Sequence, residues 1–224
     1  MFEEFKNSLD FYLRRKINFS RKNFIEKNPE LIQRNIKENL YTTDVLEKHF
    51  EKKNDLNIKI LDIGSKNWFY AKGEYEYFNA FADNFSLDGI EIDAYRLYSN
   101  FYNRYEVAKY YIKDLKNTKY IVGNLLDLNK KYDYIIWFLP FVLPEPHIAW
   151  GLPKKYFYPK KLLKHAYSLL NNDGQLLIIN QGKHEAEAQK SILEELKIDY
   201  KYLGEIKSDY FEYQNSRFGY LIQK

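Results

Sequence analysis

Several short stretches of this 224-residue chain place acids, amides and histidines just after apolar runs. In LDIGSKNW, the run 58–63 carries Asp62 and breaks at Gly64, with Ser65 following. GIEIDAYR brings Glu91, Ile92 and Asp93. YIVGNLLDL brings Gly123, Asn124, Leu125 and Asp127. LIINQGKHEAEAQ brings Asn180, Gln181, His184, Glu185 and Glu187. Between the last two lies FLPFVLPEPHIAWGLP, with Phe138, Pro140, Phe141, Glu145, His147 and Trp150. Carboxylate and amide oxygens accept from hydroxyl and amino groups. A glycine lets the backbone turn tightly and approach a ligand. Histidine titrates near neutrality, which makes His147 and His184 the candidates for proton transfer. His49 and His165 fall within helical patterns and read as packing or surface residues. His184, Glu185 and Glu187 are metal-ligand types, but no further ligand is evident. The helix dipole accounts for glutamates at a helix start, so no metal is expected.

The elements that must position these groups alternate. Strands are expected over 58–63, 87–92, 120–122, 132–138, 175–180, 200–206 and 218–222. Helices are expected over 71–81, 94–115, 156–170 and 185–196. The long helix 94–115 rests on the stripe Tyr98, Phe101, Tyr105, Ala108, Ile112 and Leu115. The NNDG after it supplies a glycine stop to helix 156–170. Continuous apolar strands such as 132–138 suit a sheet covered on both faces. Alternation of this kind implies an α/β fold with a doubly wound, mostly parallel seven-stranded sheet. The last two strands have no helix between them and should form an antiparallel hairpin at one edge.

Residues 1–56 read as an N-terminal helical extension and 57–224 as the α/β domain. Phe2, Phe5, Leu9, Tyr12 and Leu13 recur at helix spacing. Asn28-Pro29 reads as a cap followed by a first-turn proline. Ile32, Ile36 and Leu40 form a stripe, and Thr43 or Asp44 is the next expected cap.

The 45% hydrophobic and 18% aromatic content suffices for a packed core, and the absence of cysteine excludes disulfides, thiolate metal sites and cysteine nucleophiles. No run reaches the roughly 18 apolar residues that span a bilayer. The N-terminus lacks a signal-peptide pattern, so a cytoplasmic location without membrane contact is expected. A net charge of +4 tolerates an anionic partner without demanding one.

A mostly parallel sheet that closes with an antiparallel hairpin resembles the class I S-adenosylmethionine-dependent methyltransferases over residues 58–224. LDIGSKN matches Asp62 and Gly64 of that family's D-x-G-x-G-x-G loop, with Lys66 and Trp68 standing where glycines are usual. The resemblance implies S-adenosylmethionine as cofactor, bound by Asp62, Gly64, Ser65, Glu91, Ile92, Asn124 and Leu125. Glu91 would take both ribose hydroxyls, since a carboxylate offers two accepting oxygens. Asn124 would accept from the adenine amino group, with Asp127 as fallback, and Leu125 would pack on the ring. Asp93 would cap the next helix. FLPF resembles the N/D-P-P-Y-like loop of amine methyltransferases but has Phe138 where a polar acceptor stands. The acceptor pocket implied is Trp68, Phe138, Pro140, Phe141, Trp150 and Asn180, with His147 and Glu145 as the catalytic bases.

The methyl acceptor itself, small or macromolecular, is not legible, and neither is the oligomeric state. LRRK and SRKNF beside N-terminal aromatics leave an RNA acceptor open. The altered glycine loop leaves open a non-catalytic protein that binds cofactor or a partner. A nicotinamide-dependent enzyme fits less well, because G-x-G-x-x-G is missing.

Overall fold

A computed structural model describes residues 29–53, 57–98 and 101–224. The readings of residues 1–28, including both basic stretches and the Asn28 cap, lie outside the described residues. Seven strands form one sheet in the order β3-β2-β1-β4-β5-β7-β6. They are β1 (Ile58–Ile63), β2 (Phe85–Glu91), β3 (Thr118–Val122), β4 (Tyr132–Phe138), β5 (Leu170–Gln181), β6 (Lys201–Ile206) and β7 (Arg217–Gln223). The first five pair in parallel, and β7 runs antiparallel to both β5 and β6. The strand order reverses between β1 and β4. Ligands of open α/β sheets bind at such a switch point, beyond the carboxyl ends of the strands.

The helices are α1 (Pro29–His49), α2 (Ala71–Asn79), α3 (Arg104–Tyr111), α4 (Pro144–Ala149), α5 (Pro159–Leu169) and α6 (Gly182–Glu195). Strand alternation splits the core in two. Ile58, Ile60, Tyr134 and Ile136 face α1 and α2, while Leu61, Ile63, Ile135 and Trp137 face α5 and α6. Among the described residues no helix is long and apolar enough to cross a membrane.

α1 belongs to the same packed core as the strands, through Tyr41, Val45, Leu46 and Phe50. It crosses α2 closely, because a Cβ on Gly73 would run into the Asn39 carbonyl. The Asn39 amide oxygen accepts the Gly73 N–H at 2.6 Å. Three expectations need correction here. Neither Thr43 nor Asp44 starts a new helix, for α1 is continuous and the Thr43 hydroxyl donates instead to the carbonyls of Asn39 and Gly73. The stripe Ile32, Ile36 and Leu40 faces outward, each at least 40% exposed. NNDG is no helix stop but part of β5, in the irregular stretch where its pairing with β4 shifts register.

The long helix 94–115 is also shorter than its stripe suggested. Only Arg104–Tyr111 is helical. Asn103 and Glu106 form a reciprocal capping box that starts the helix at Arg104. Before it, Leu97 and Asn103 form an isolated bridge. Phe101, at a φ of 61°, is 69% exposed rather than part of a buried face.

Candidate functional site

The carboxyl ends of β1, β2, β3 and β4 enclose one cavity of about 540 Å³, a size typical of small-molecule sites. Gly64, Glu91 and Asn124 all line it. Gly64 turns the chain at a φ of 75°, and its N–H and that of Ser65 donate to the Ile90 carbonyl. A Cβ on Gly64 or on Gly123 would meet no atom within 4 Å, so both backbones border open space.

The loop after β1 keeps a left-handed path without glycines. Lys66 and Trp68 have φ values of 52° and 46°. Such values suit glycine and cost other residues on the order of 1 kcal/mol each or more. Surrounding contacts hold them there. The Trp68 indole is fully buried against Gly89, where a Cβ would collide with it, and its Nε1–H donates to Glu74 at 2.8 Å. The Lys66 N–H donates to Glu91 at 2.9 Å, and the Tyr120 hydroxyl donates to the Lys66 carbonyl. Leu139, which follows β4 at a φ of 55°, is another left-handed residue and shares the cavity wall with Lys66.

Charge concentrates at the mouth of β2. Glu91 is buried, and its two oxygens accept from the N–H groups of Lys66 and Asp93. Burial raises its pKa, opposed by those hydrogen bonds and by Arg104. Each oxygen keeps a lone pair for a ligand. Arg104, 3% exposed, pairs with Asp93 at 3.1 Å and stands 4.0 Å from Glu91. Trp150 closes over this group. Its ring lies 4.7 Å from the Arg104 guanidinium and 5.1 Å from the Lys66 ammonium, and its carbonyl accepts from Arg96.

Under the loop lies a second electrostatic feature. Asp62 and Glu74 are both fully buried on the α2 side of the sheet. Burial raises Asp62 to about 7, with Glu91 adding to the shift, and it raises Glu74 well above the carboxylate range, with Asp62 adding to it. Tyr70, which lines the cavity, donates its hydroxyl to Asp62 at 3.2 Å.

No family model matches the sequence, and no curated protein matches it. Solved structures do. An S-adenosylmethionine-dependent methyltransferase from Aquifex aeolicus aligns with a TM-score of 0.58 at 16% identity, over 82% of this chain and 91% of that one. A methyltransferase from Pyrococcus furiosus gives 0.55 at 17%, over 83% and 82%. Magnesium protoporphyrin IX methyltransferase from Synechocystis PCC 6803, solved with bound S-adenosylmethionine, gives 0.52 at 12%, over 90% and 84%.

The fold is that of a class I methyltransferase.

Within this methyltransferase fold, Gly64, Glu91, Ile92, Asn124 and Leu125 share the cavity with Phe138, Pro140, Phe141, His147 and Trp150. Other expected site residues do not reach it. Asp62 and Ser65 are fully buried behind the loop, where the Ser65 hydroxyl donates to the Asp62 carbonyl. Trp68 is core rather than pocket wall, because its side of the loop faces Gly89. Asn180 is fully buried, and neither of its side-chain polar atoms has a partner. Glu145 sits exposed in the first turn of α4, off the cavity wall. Asp93 caps no helix; it pairs with Arg96 and Arg104. Asn124 uses its amide oxygen to accept the Leu126 N–H and its amide nitrogen to donate to the Tyr158 hydroxyl, which fixes its orientation. Asp127 is exposed.

His147 is 2% exposed, packed between Phe141 and Phe157, and neither ring nitrogen has a partner. Burial lowers its pKa, which favours the neutral imidazole. His184 lies off the cavity wall. Among the described residues no cluster of three or more His, Asp or Glu could hold a metal. Sequence reasoning missed Arg104, Tyr70 and Tyr158. The Asn103–Glu106 capping box was the available signal for Arg104; Tyr70 and Tyr158 carry none.

Proposed function

We propose that this chain is an S-adenosylmethionine-dependent methyltransferase. The observation that carries the reading is the convergence of Gly64, Glu91 and Asn124 on a single cavity large enough for a nucleoside. The residues present suit that cofactor. Glu91 offers two oxygens with free lone pairs to a vicinal diol. Ile92 and Leu125 supply apolar walls for a base. The open backbones of Gly64 and Gly123 leave room beside it. Lys66 brings an ammonium suited to a carboxylate. Asp62 acts through the Tyr70 hydroxyl, not by direct contact.

The cofactor supplies an activated methyl group when bound, so the chain's own task is orientation and proton removal. His147 is the group on the cavity wall suited to the second task, a neutral imidazole whose two nitrogens are buried and unpartnered. Trp150, held by Arg96, Arg104 and Lys66, shields the crevice from water. Calorimetric titration with S-adenosylmethionine tests the reading. One saturable site is expected, weakened about 10- to 100-fold by Glu91→Ala, the loss of hydrogen bonds to a charged group. Equal affinity in the variant would remove Glu91 from the cofactor site.

A further inference from the structure

A second cavity, of about 380 Å³, opens behind the first and shares Lys66, Tyr70, Phe138 and Leu139 with it. α1 and the segment leading into β7 form its far wall, through Arg34, Glu38, Tyr41, Tyr213 and Arg217. A third cavity, of about 580 Å³, adjoins it at Arg34, Tyr213 and Arg217. The three cavities therefore adjoin in series, ending at the crevice proposed for the cofactor.

The middle cavity has a definite chemistry. Its walls are aromatic, with Tyr41, Phe69, Tyr70, Phe138 and Tyr213. Its charges are three cations against one carboxylate, and that carboxylate, Glu38, is already bound to Arg34 at 2.7 Å. Arg217 has no ion pair among the described residues. It lies 4.4 Å over the Tyr213 ring and donates to the Asn215 carbonyl. Tyr213 in turn packs edge-on against Tyr41 at 5.1 Å. A guanidinium held over an aromatic ring and by a backbone carbonyl is oriented in advance, and its fork matches a carboxylate or phosphate.

We infer that the middle cavity holds the methyl acceptor, and that the acceptor is a small planar aromatic or conjugated molecule bearing a carboxylate or phosphate. Its anionic group binds Arg217 at the outer end, and its ring lies among the tyrosines and phenylalanines. The methylated atom then falls at the junction beside Tyr70 and Phe138, where the two cavities meet. Lys66, at that junction, is left for the cofactor's own carboxylate. This inference rests on the methyltransferase reading for the word acceptor, but the anion site at Arg217 stands on its own geometry.

The test uses the full chain and the fluorescent aromatic anion 1-anilinonaphthalene-8-sulfonate, with S-adenosylhomocysteine titrated separately. The expected result is one saturable probe site, weakened at least 10-fold by Arg217→Gln and partly restored by Arg217→Lys. Probe and S-adenosylhomocysteine should bind together, and Arg217→Gln should leave S-adenosylhomocysteine affinity unchanged. Equal probe affinity in Arg217→Gln, or displacement of the probe by S-adenosylhomocysteine, overturns the proposal. A wild-type chain that binds the probe at Arg217 but never S-adenosylhomocysteine keeps the anion site and sinks the methyltransferase reading instead.

Discussion

The main-chain N–H of Lys66 donates to the side chain of Glu91 at 2.9 Å, so the loop after β1 and the acid ending β2 are held as one unit. That bond explains how a loop lacking its usual glycines keeps a glycine-like path. The carboxylate holds the Lys66 peptide, and Tyr120 holds it from the other side.

The two left-handed residues of that loop should respond oppositely to glycine. At Lys66 the side chain is exposed, so Lys66→Gly relieves strain and should leave stability unchanged or raise it by up to about 1 kcal/mol. At Trp68 the indole fills the core, and Trp68→Gly should cost about 3–5 kcal/mol. Urea unfolding midpoints report both. A large loss in Lys66→Gly would mean that its backbone is not strained.

The buried pair Asp62 and Glu74 should make stability fall as pH rises. Their folded pKa values lie above the ordinary 3.8 and 4.5, with Asp62 at about 7. Below about pH 4 both states are protonated and the native state is not penalised. Between pH 4 and 7 the unfolded chain loses protons that the native chain retains, so stability drops through that window. Glu74→Gln keeps an oxygen for the Trp68 indole and removes one titration. Relative to wild type it should lose less stability as pH rises from 5 to 8, because burial raises the Glu74 pKa in the folded state. Parallel pH profiles for the two proteins would refute this.

His147 costs stability in the absence of a ligand, because two buried ring nitrogens lack partners. His147→Phe should therefore stabilise the fold by about 1 kcal/mol near neutrality. The gap should widen on acidification. Burial holds the folded pKa below 6.5, so the wild type loses stability as pH falls through that range while the variant does not. Denaturant midpoints at pH 5.5 and 7.5 measure both effects, and a destabilised variant would show that the imidazole has a structural bond.

Arg104→Ala should leave Asp93 and Glu91 without their shared cation and Trp150 without one face of its clamp. Losing one partner of a buried ion pair costs about 3–5 kcal/mol. Limited proteolysis should then cut earlier within residues 139–158, and an unchanged cleavage pattern would show that Arg104 does not hold that segment.

Much of the architecture was legible because each strand carries its own signal. Apolar runs such as 132–138 and the helix-free step before the last strand predicted the parallel sheet and its antiparallel edge. The stripe from Tyr98 to Leu115 misled because residue spacing alone does not show where a chain first becomes helical, and the Asn103–Glu106 box decided that. Gly64, Glu91 and Asn124 could be placed from the ends of strands, where position along the chain and position in the site coincide. Trp68, Asn180 and Glu145 could not. Each stands close in sequence to a site residue, yet loop direction and strand alternation point its side chain away. Arg217 and Tyr213 approach the site from the far end of the chain, and no local pattern announces such a meeting.

A crystal structure of the protein grown with S-adenosylhomocysteine tests the central claim most directly. The expected density places the ribose hydroxyls within hydrogen-bond distance of Glu91 and the adenine between Ile92 and Leu125, with Asn124 at its edge. Density elsewhere on the chain, or a crevice closed by Trp150 and Phe138 at saturating ligand, would contradict it.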